Sequence, residues 1–119
     1  MYFYDTYALW ELVKGNPSYA GFSRETIICS IFNAYEFYST LRRDFDGKTA
    51  RKFVDVLENC IVDISISNVI GAVEMKKRHS KMNLSFIDCL GYVKAKELGI
   101  RFLTGDSEFQ DMPNVEFVK

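Results

Sequence analysis

Five short apolar runs alternate with stretches of helical spacing, and this alternation constrains the chain more than any other feature. Residues 2–4 (YFY), 26–30 (TIICS), 61–64 (IVDI), 101–104 (RFLT) and 115–118 (VEFV) read as strands. TIICS has the compact β-branched character of a buried strand. Between the runs, apolar residues return every three or four positions. Tyr7, Leu9, Trp10 and Val13 predict a helix over 6–14, stopped by Gly15-Asn16-Pro17. Residues 32–43 predict a second helix. Gly47 to Cys60 predicts a third, with Ala50, Phe53, Val54 and Leu57 on one stripe. Ser67 or Asn68 can cap a helix running to about Met82, and Ser85 opens one that ends at Leu98 before Gly99. Alternating strands and helices predict an α/β fold with three layers, α/β/α, around a mainly parallel sheet of about five short strands.

Bulk properties narrow the class. The 119 residues suit one domain spanning 1–119, and no repeat, low-complexity tract or linker divides them. A hydrophobic share of 48% excludes a disordered chain. Lys and Arg total 15 against 16 Asp and Glu, so net charge points neither toward nor away from nucleic acid. Three cysteines, Cys29, Cys60 and Cys89, lie in apolar surroundings without paired spacing; they read as buried free thiols in a reducing cytoplasm. A lone histidine, His79, argues against a His/Cys zinc site and reads as a surface side chain. No apolar run approaches the roughly 20 residues a bilayer requires, so no membrane is expected.

In open α/β sheets the site lies beyond the carboxyl ends of the strands. Asp5 follows the first strand and Asp106 follows the fourth, in LTGD. Two further acids interrupt apolar helices: Glu36 in NAYEFYSTL and Asp88 in SFIDCLGYVKA. All four are hard oxygen donors, suited to Mg²⁺ or Mn²⁺. Such ions promote phosphodiester hydrolysis by lowering the pKa of water and neutralising charge on the attacked phosphate. Each acid also has a plainer reading. Asp5 fits a helix N-cap. Asp88 completes Ser85-Phe86-Ile87-Asp88, a capping-box pattern. Glu36 shares a strip with Asn33, Ser39 and Thr40 that a solvated helix face would carry, and Asp106 fits an ordinary turn. Taken singly, these residues leave both readings open.

Taken in order, they resemble the PIN-domain family of metal-dependent ribonucleases, and within it the small VapC-type toxins of toxin–antitoxin pairs. The motifs are a strand running into Asp5-Thr6, Glu36 in Ala34-Tyr35-Glu36-Phe37, Asp88 ahead of Gly91 and Ala95, and Thr104-Gly105-Asp106 with Phe109 after it. The resemblance covers essentially the whole chain. It implies an acidic pocket holding Mg²⁺ or Mn²⁺, RNA as substrate, a homodimer, and inhibition by a cognate antitoxin. Asp5, Glu36, Asp88 and Asp106 would be the catalytic acids and direct or water-mediated metal ligands. Thr6 and Thr104 would support them, Thr104 by orienting Asp106. Glu108 and Asp111 are further acids nearby. One departure is Tyr7, where many relatives carry a small polar residue; it bears on the pocket rim.

The basic run Lys76, Lys77, Arg78, Lys81 reads as a solvated helix end that can also face a phosphate backbone, and Arg42 and Arg43 can extend it. Aromatics reach 15%, and Tyr7, Trp10, Tyr35, Phe37 and Tyr38 cluster on the first two helices, predicting an exposed protein-binding surface. Two rival functions stay open on the residues: a catalytically silent PIN-like module that binds RNA or protein, and a doubly wound phosphatase-type domain. The second normally wants an Asp two residues after the first, where this chain has Tyr7.

Overall fold

The computed structural model describes residues 1–119. Strand β1 (Tyr2–Tyr4) lies at the centre of the sheet, flanked by β2 (Ile27–Ile28) and β3 (Arg101–Thr104), with β4 (Val115–Phe117) outside β3. All pairings are parallel, with Phe3 opposite Ile28 on one side and Phe102 on the other. The helices are α1 (Thr6–Lys14), α2 (Ile31–Asp44), α3 (Gly47–Asp55), α4 (Ile66–Arg78) and α5 (Phe86–Leu98).

Side-chain alternation divides the interior into two cores. Phe3 and Phe102 point to one face, where Ala72 and Met75 of α4 and Cys89, Tyr92 and Ala95 of α5 cover them. Tyr4 and Leu103 point to the other, beneath Ala8 and Leu9 of α1, Phe37 and Leu41 of α2 and Ala50 of α3. The expected three-layer α/β/α architecture follows. Gly91 lets α5 sit close on the sheet: a Cβ there would lie 2.8 Å from the Phe3 ring and 3.0 Å from that of Phe102.

Several elements differ from the expectation. The run 61–64 is not a strand; Ile61 makes a single parallel bridge to Cys29. Ser30 explains this. Its N–H bonds to Asn33 Oδ1 as α2 begins, so the edge of β2 turns away and leaves nothing further to pair with. The third helix ends at Asp55 and continues as a 3₁₀ turn, Val56–Asn59. Ser65, not Ser67 or Asn68, caps α4, and the helix stops at Arg78 rather than near Met82. Gly15 ends α1 as expected, and Pro17–Arg24 form a 3₁₀ helix to which the sequence reading assigns no element; it is anchored where the Tyr4 hydroxyl donates to Phe22 O and the Tyr19 hydroxyl to Val118 O. Cys29 and Cys89 are buried free thiols, whereas Cys60 is half-buried.

The strand order places a switch point between β1 and β3. The chain leaves β1 toward β2 on one side and returns to β3 on the other. Open α/β sheets form their crevices where the order reverses in this way. Asp5 stands at the carboxyl end of β1, its N–H bonded to Leu103 O of β3 at 3.0 Å, and Asp106 follows β3 two residues on.

Candidate metal centre

At that switch point a cleft of about 490 Å³ opens, lined by Asp5, Thr6, Tyr7, Tyr35, Glu36, Ser39, Thr40, Arg43, Asp88 and Asp106. The sheet, α2 and α5 therefore bring all four sequence-selected acids to one place. The plainer readings of three of them are also correct. Asp5 caps α1, accepting from Thr6 N–H at 2.8 Å. Asp88 closes a capping box, with Ser85 N–H donating to Oδ2 at 3.0 Å. Asp106 caps the short 3₁₀ turn Ser107–Phe109 by accepting from Glu108 N–H. Capping occupies one oxygen of each carboxylate and aims the acid at the cleft, so the two roles are compatible.

Two threonines hold the acids. The Thr104 hydroxyl donates to Asp5 Oδ2 at 2.7 Å and accepts from Asp106 N–H at 3.1 Å, tying the ends of β1 and β3 together. The Thr6 hydroxyl donates to Glu36 Oε1 at 2.7 Å and accepts from Asn33 Nδ2 at 3.2 Å. Asn33, which a solvated helix face would expose, is fully buried. Its signal was Ser30-Ile31-Phe32-Asn33, a capping box with Asn in the place of the usual Glu or Gln. Gly105 is required sterically: a Cβ there would come within 2.3 Å of Val118 O and 2.4 Å of the Tyr7 ring.

The electrostatics mark the site as short of positive charge. Asp5 is 3% exposed, yet none of the four acids takes part in a salt bridge. Burial pushes the Asp5 carboxyl well above the usual range and the Asp88 charge pushes it further, against the hydrogen bonds from Thr104 and Thr6. Glu36 is raised by burial, lowered by its Thr6 hydrogen bond, and raised again by Asp88. Asp88 is raised by burial; its Ser85 hydrogen bonds lower it, and Asp106 adds a further upward push. Asp88 is thus the electrical centre of the group. No three of the acids are gathered tightly enough to form a ready-made metal cage. The donor set is all hard oxygen, and a buried, unpaired carboxylate among other carboxylates is tolerable when a cation compensates it. Mg²⁺ or Mn²⁺ fits that set.

The other sequence candidates lie at different distances from the cleft. Arg43 lines it and forms no salt bridge. Lys76 stands over the Phe86 ring, donates to Leu84 O and lowers the Asp88 pKa. Lys77 lines a neighbouring hollow with Lys76 and Phe86, while Arg78 and Lys81 are exposed beyond it. Arg42 lies against Gly47, away from the acids, and Glu108 and Asp111 do not line the cleft. The aromatic cluster is mostly interior: Phe37 is buried, and Tyr7, Trp10 and Tyr38 pack on the same core. Tyr35 is the exception.

The PIN domain family model matches residues 2–115. The chain belongs to the PIN-domain family. Among solved structures, this PIN domain is similar to VapC20 of Mycobacterium tuberculosis, described as a sarcin-ricin loop cleaving toxin, with 18% identity over 100% of both chains and a TM-score of 0.81. It is similar to a chain of a toxin–antitoxin complex from Klebsiella pneumoniae, with 18% identity, 98% of this chain and 96% of that one covered, and a TM-score of 0.76. It is similar also to a chain of VapBC2 from Rickettsia felis bound to a promoter DNA fragment, with 17% identity over 99% and 98% and a TM-score of 0.76. No curated protein matches the chain significantly. No helix of the PIN domain is long and apolar enough to cross a membrane.

Proposed function

We propose that this PIN domain is an endoribonuclease that uses Mg²⁺ or Mn²⁺, acting as one unit over residues 1–119 and serving as the toxin of a toxin–antitoxin pair. The carrying observation is Asp5, buried at the switch point without a cationic partner and surrounded by Glu36, Asp88 and Asp106. A bound divalent cation would supply an acidified water and charge neutralisation at the phosphate. The chain's own residues do the rest. Asp5, Glu36, Asp88 and Asp106 present oxygens to the cation. Thr104 and Thr6 fix the carboxylates of Asp5 and Glu36. Arg43 offers its guanidinium to the phosphate backbone, which a cleft of carboxylates alone would repel. His79 ends α4 outside the cleft and takes no part.

The similarity to the Klebsiella and Rickettsia toxin–antitoxin structures supports an antitoxin partner, and cytoplasmic residence accords with three free thiols. A homodimer is supported by Ile66, Val69 and Ile70, which stand exposed on the first turns of α4. Light scattering at tens of micromolar protein should give twice the chain mass. The function itself is tested by incubating the purified protein with structured RNAs. Cleavage should require Mn²⁺ or Mg²⁺, and full activity in excess EDTA would sink the reading.

A further inference from the structure

Neither the fold nor the acid cluster accounts for Tyr35. Its side chain is 72% exposed and belongs to neither core. It nevertheless lines the cleft, one residue before Glu36. Half of the lining comes from α2 alone: Tyr35, Glu36, Ser39, Thr40 and Arg43. Tyr35, Ser39 and Arg43 recur at i, i+4 and i+8, so they share one stripe, and the helical rise sets the Cα atoms of Tyr35 and Arg43 about 12 Å apart along the axis. That span exceeds one nucleotide step, which is about 3.4 Å in a stacked strand. The stripe therefore offers an aromatic face at one end, a cation at the other, and the acidic site beside them.

We propose that Tyr35 is a base-stacking residue of the cleft, holding an unpaired nucleobase while Arg43 takes a phosphate of the same strand. The proposal rests on the ribonuclease reading and assigns it a binding residue. An exposed tyrosine ring is a platform for any base whose face is free, and RNA is read mainly through such unstacked bases. A duplex hides those faces and cannot use the ring. Ile31 and Phe32 are also exposed on the first turn of α2, so a protein contact is the competing use of this end of the helix. The cleft side of Tyr35 is polar, bordered by Ser39, Thr40 and Arg43, and this favours the nucleotide.

The test uses single-stranded RNA octamers carrying 2-aminopurine at successive positions, with Ca²⁺ in place of Mn²⁺ so that binding is read apart from turnover. Wild type and Tyr35→Phe should quench the fluorophore at one position. Tyr35→Ala and Tyr35→Leu should lose the quench and bind roughly 5- to 150-fold more weakly. With Mn²⁺ the loss should appear in KM, with kcat little changed. A duplex of the same sequence should bind wild type and Tyr35→Ala alike. Wild-type affinity and quench in Tyr35→Ala, or full rescue by Tyr35→Leu, would overturn the assignment, as would the wild type binding no single strand. A changed oligomeric mass in Tyr35→Ala with RNA binding intact would make the residue a protein contact. Quenching by a wild type that cleaves no RNA with Mn²⁺ would sink the ribonuclease reading and leave the stacking role standing.

Discussion

Helices α2 and α4 begin in the same way and end up serving opposite purposes. Each opens on Ser-x-x-Asn, Ser30 to Asn33 and Ser65 to Asn68, and in each the Asn Oδ1 accepts from the Ser N–H while the Asn side chain is buried. The remaining amide donor is what differs. Asn68 gives it to Glu97, which also pairs with the largely buried Lys94 at 3.0 Å, so that polar cluster is neutral and its carboxyl pKa is lowered by the Asn68 and Lys94 contacts. Asn33 gives it to Thr6, which holds Glu36 in a cleft with three more carboxylates, where Arg43 is the one cation of the lining and forms no salt bridge with them. In the first cluster the chain compensates its own buried charge; in the second it leaves carboxylates without an ion-pair partner at the switch point of the sheet, and the proposed cation site accounts for that. The same local motif stabilises a helix pair at one end and arms a cleft at the other.

The sharpest way to break this comparison is to remove charge from the cleft. Asp5→Asn or Asp88→Asn should reduce Mn²⁺-dependent RNA cleavage by about a thousandfold or more, while circular dichroism shows the fold retained. A matched pair of helix-start variants comes next. Asn33→Ala and Asn68→Ala should each cost about 1 kcal/mol in thermal unfolding, since each loses half a capping box. Only Asn33→Ala should lower cleavage, by roughly 10- to 100-fold, because it frees the threonine that positions Glu36. Equal activity in the two would erase the distinction between the regions.

A further effect is in pH. Asp5, Glu36 and Asp88 have raised folded-state pKa values, each first through burial and then through a neighbouring charge: Asp88 for Asp5 and Glu36, Asp106 for Asp88. The folded state then binds more protons than the unfolded one above the unfolded carboxylate value of about 4. Stability without metal is therefore fully present below that value and is lost as pH rises through the folded values, no more steeply than about 1.4 kcal/mol per pH unit for each group. Melts in EDTA should show the gap between Asp5→Asn and wild type moving in the mutant's favour as pH rises from about 4. A constant gap would mean that Asp5 titrates normally.

Much of this was legible in the sequence, because alternation and capping are local. The runs 2–4, 101–104 and 115–118 formed strands, and Ser85 and Gly99 bounded α5 as expected. The four acids were selected by order and setting, and all four line one cleft. What failed depended on partners distant in the chain. IVDI has a strand's composition but finds no neighbour to pair with beyond Cys29, since β2 turns into α2 at Ser30. Asn33 looked solvated because its burial depends on Thr6, 27 residues away. Trp10 and Tyr38 looked like surplus aromatics because the size of the second core, built from β1, β3 and three helices, is not written in any local pattern.

The central claim is that the four acids share a cation, and thermal melts of wild type and Asp106→Asn with EDTA and with Mn²⁺ test it most directly. Asn at 106 keeps an oxygen for the Glu108 N–H and removes one negative charge from beside Asp88. In EDTA the variant should melt above wild type, because repulsion is relieved. Mn²⁺ at a hundredfold excess over its dissociation constant should stabilise wild type by about 2.7 kcal/mol and the variant by much less. A variant that melts lower in EDTA and keeps the full Mn²⁺ shift would show Asp106 to be an ordinary turn residue and the shared site to be wrong.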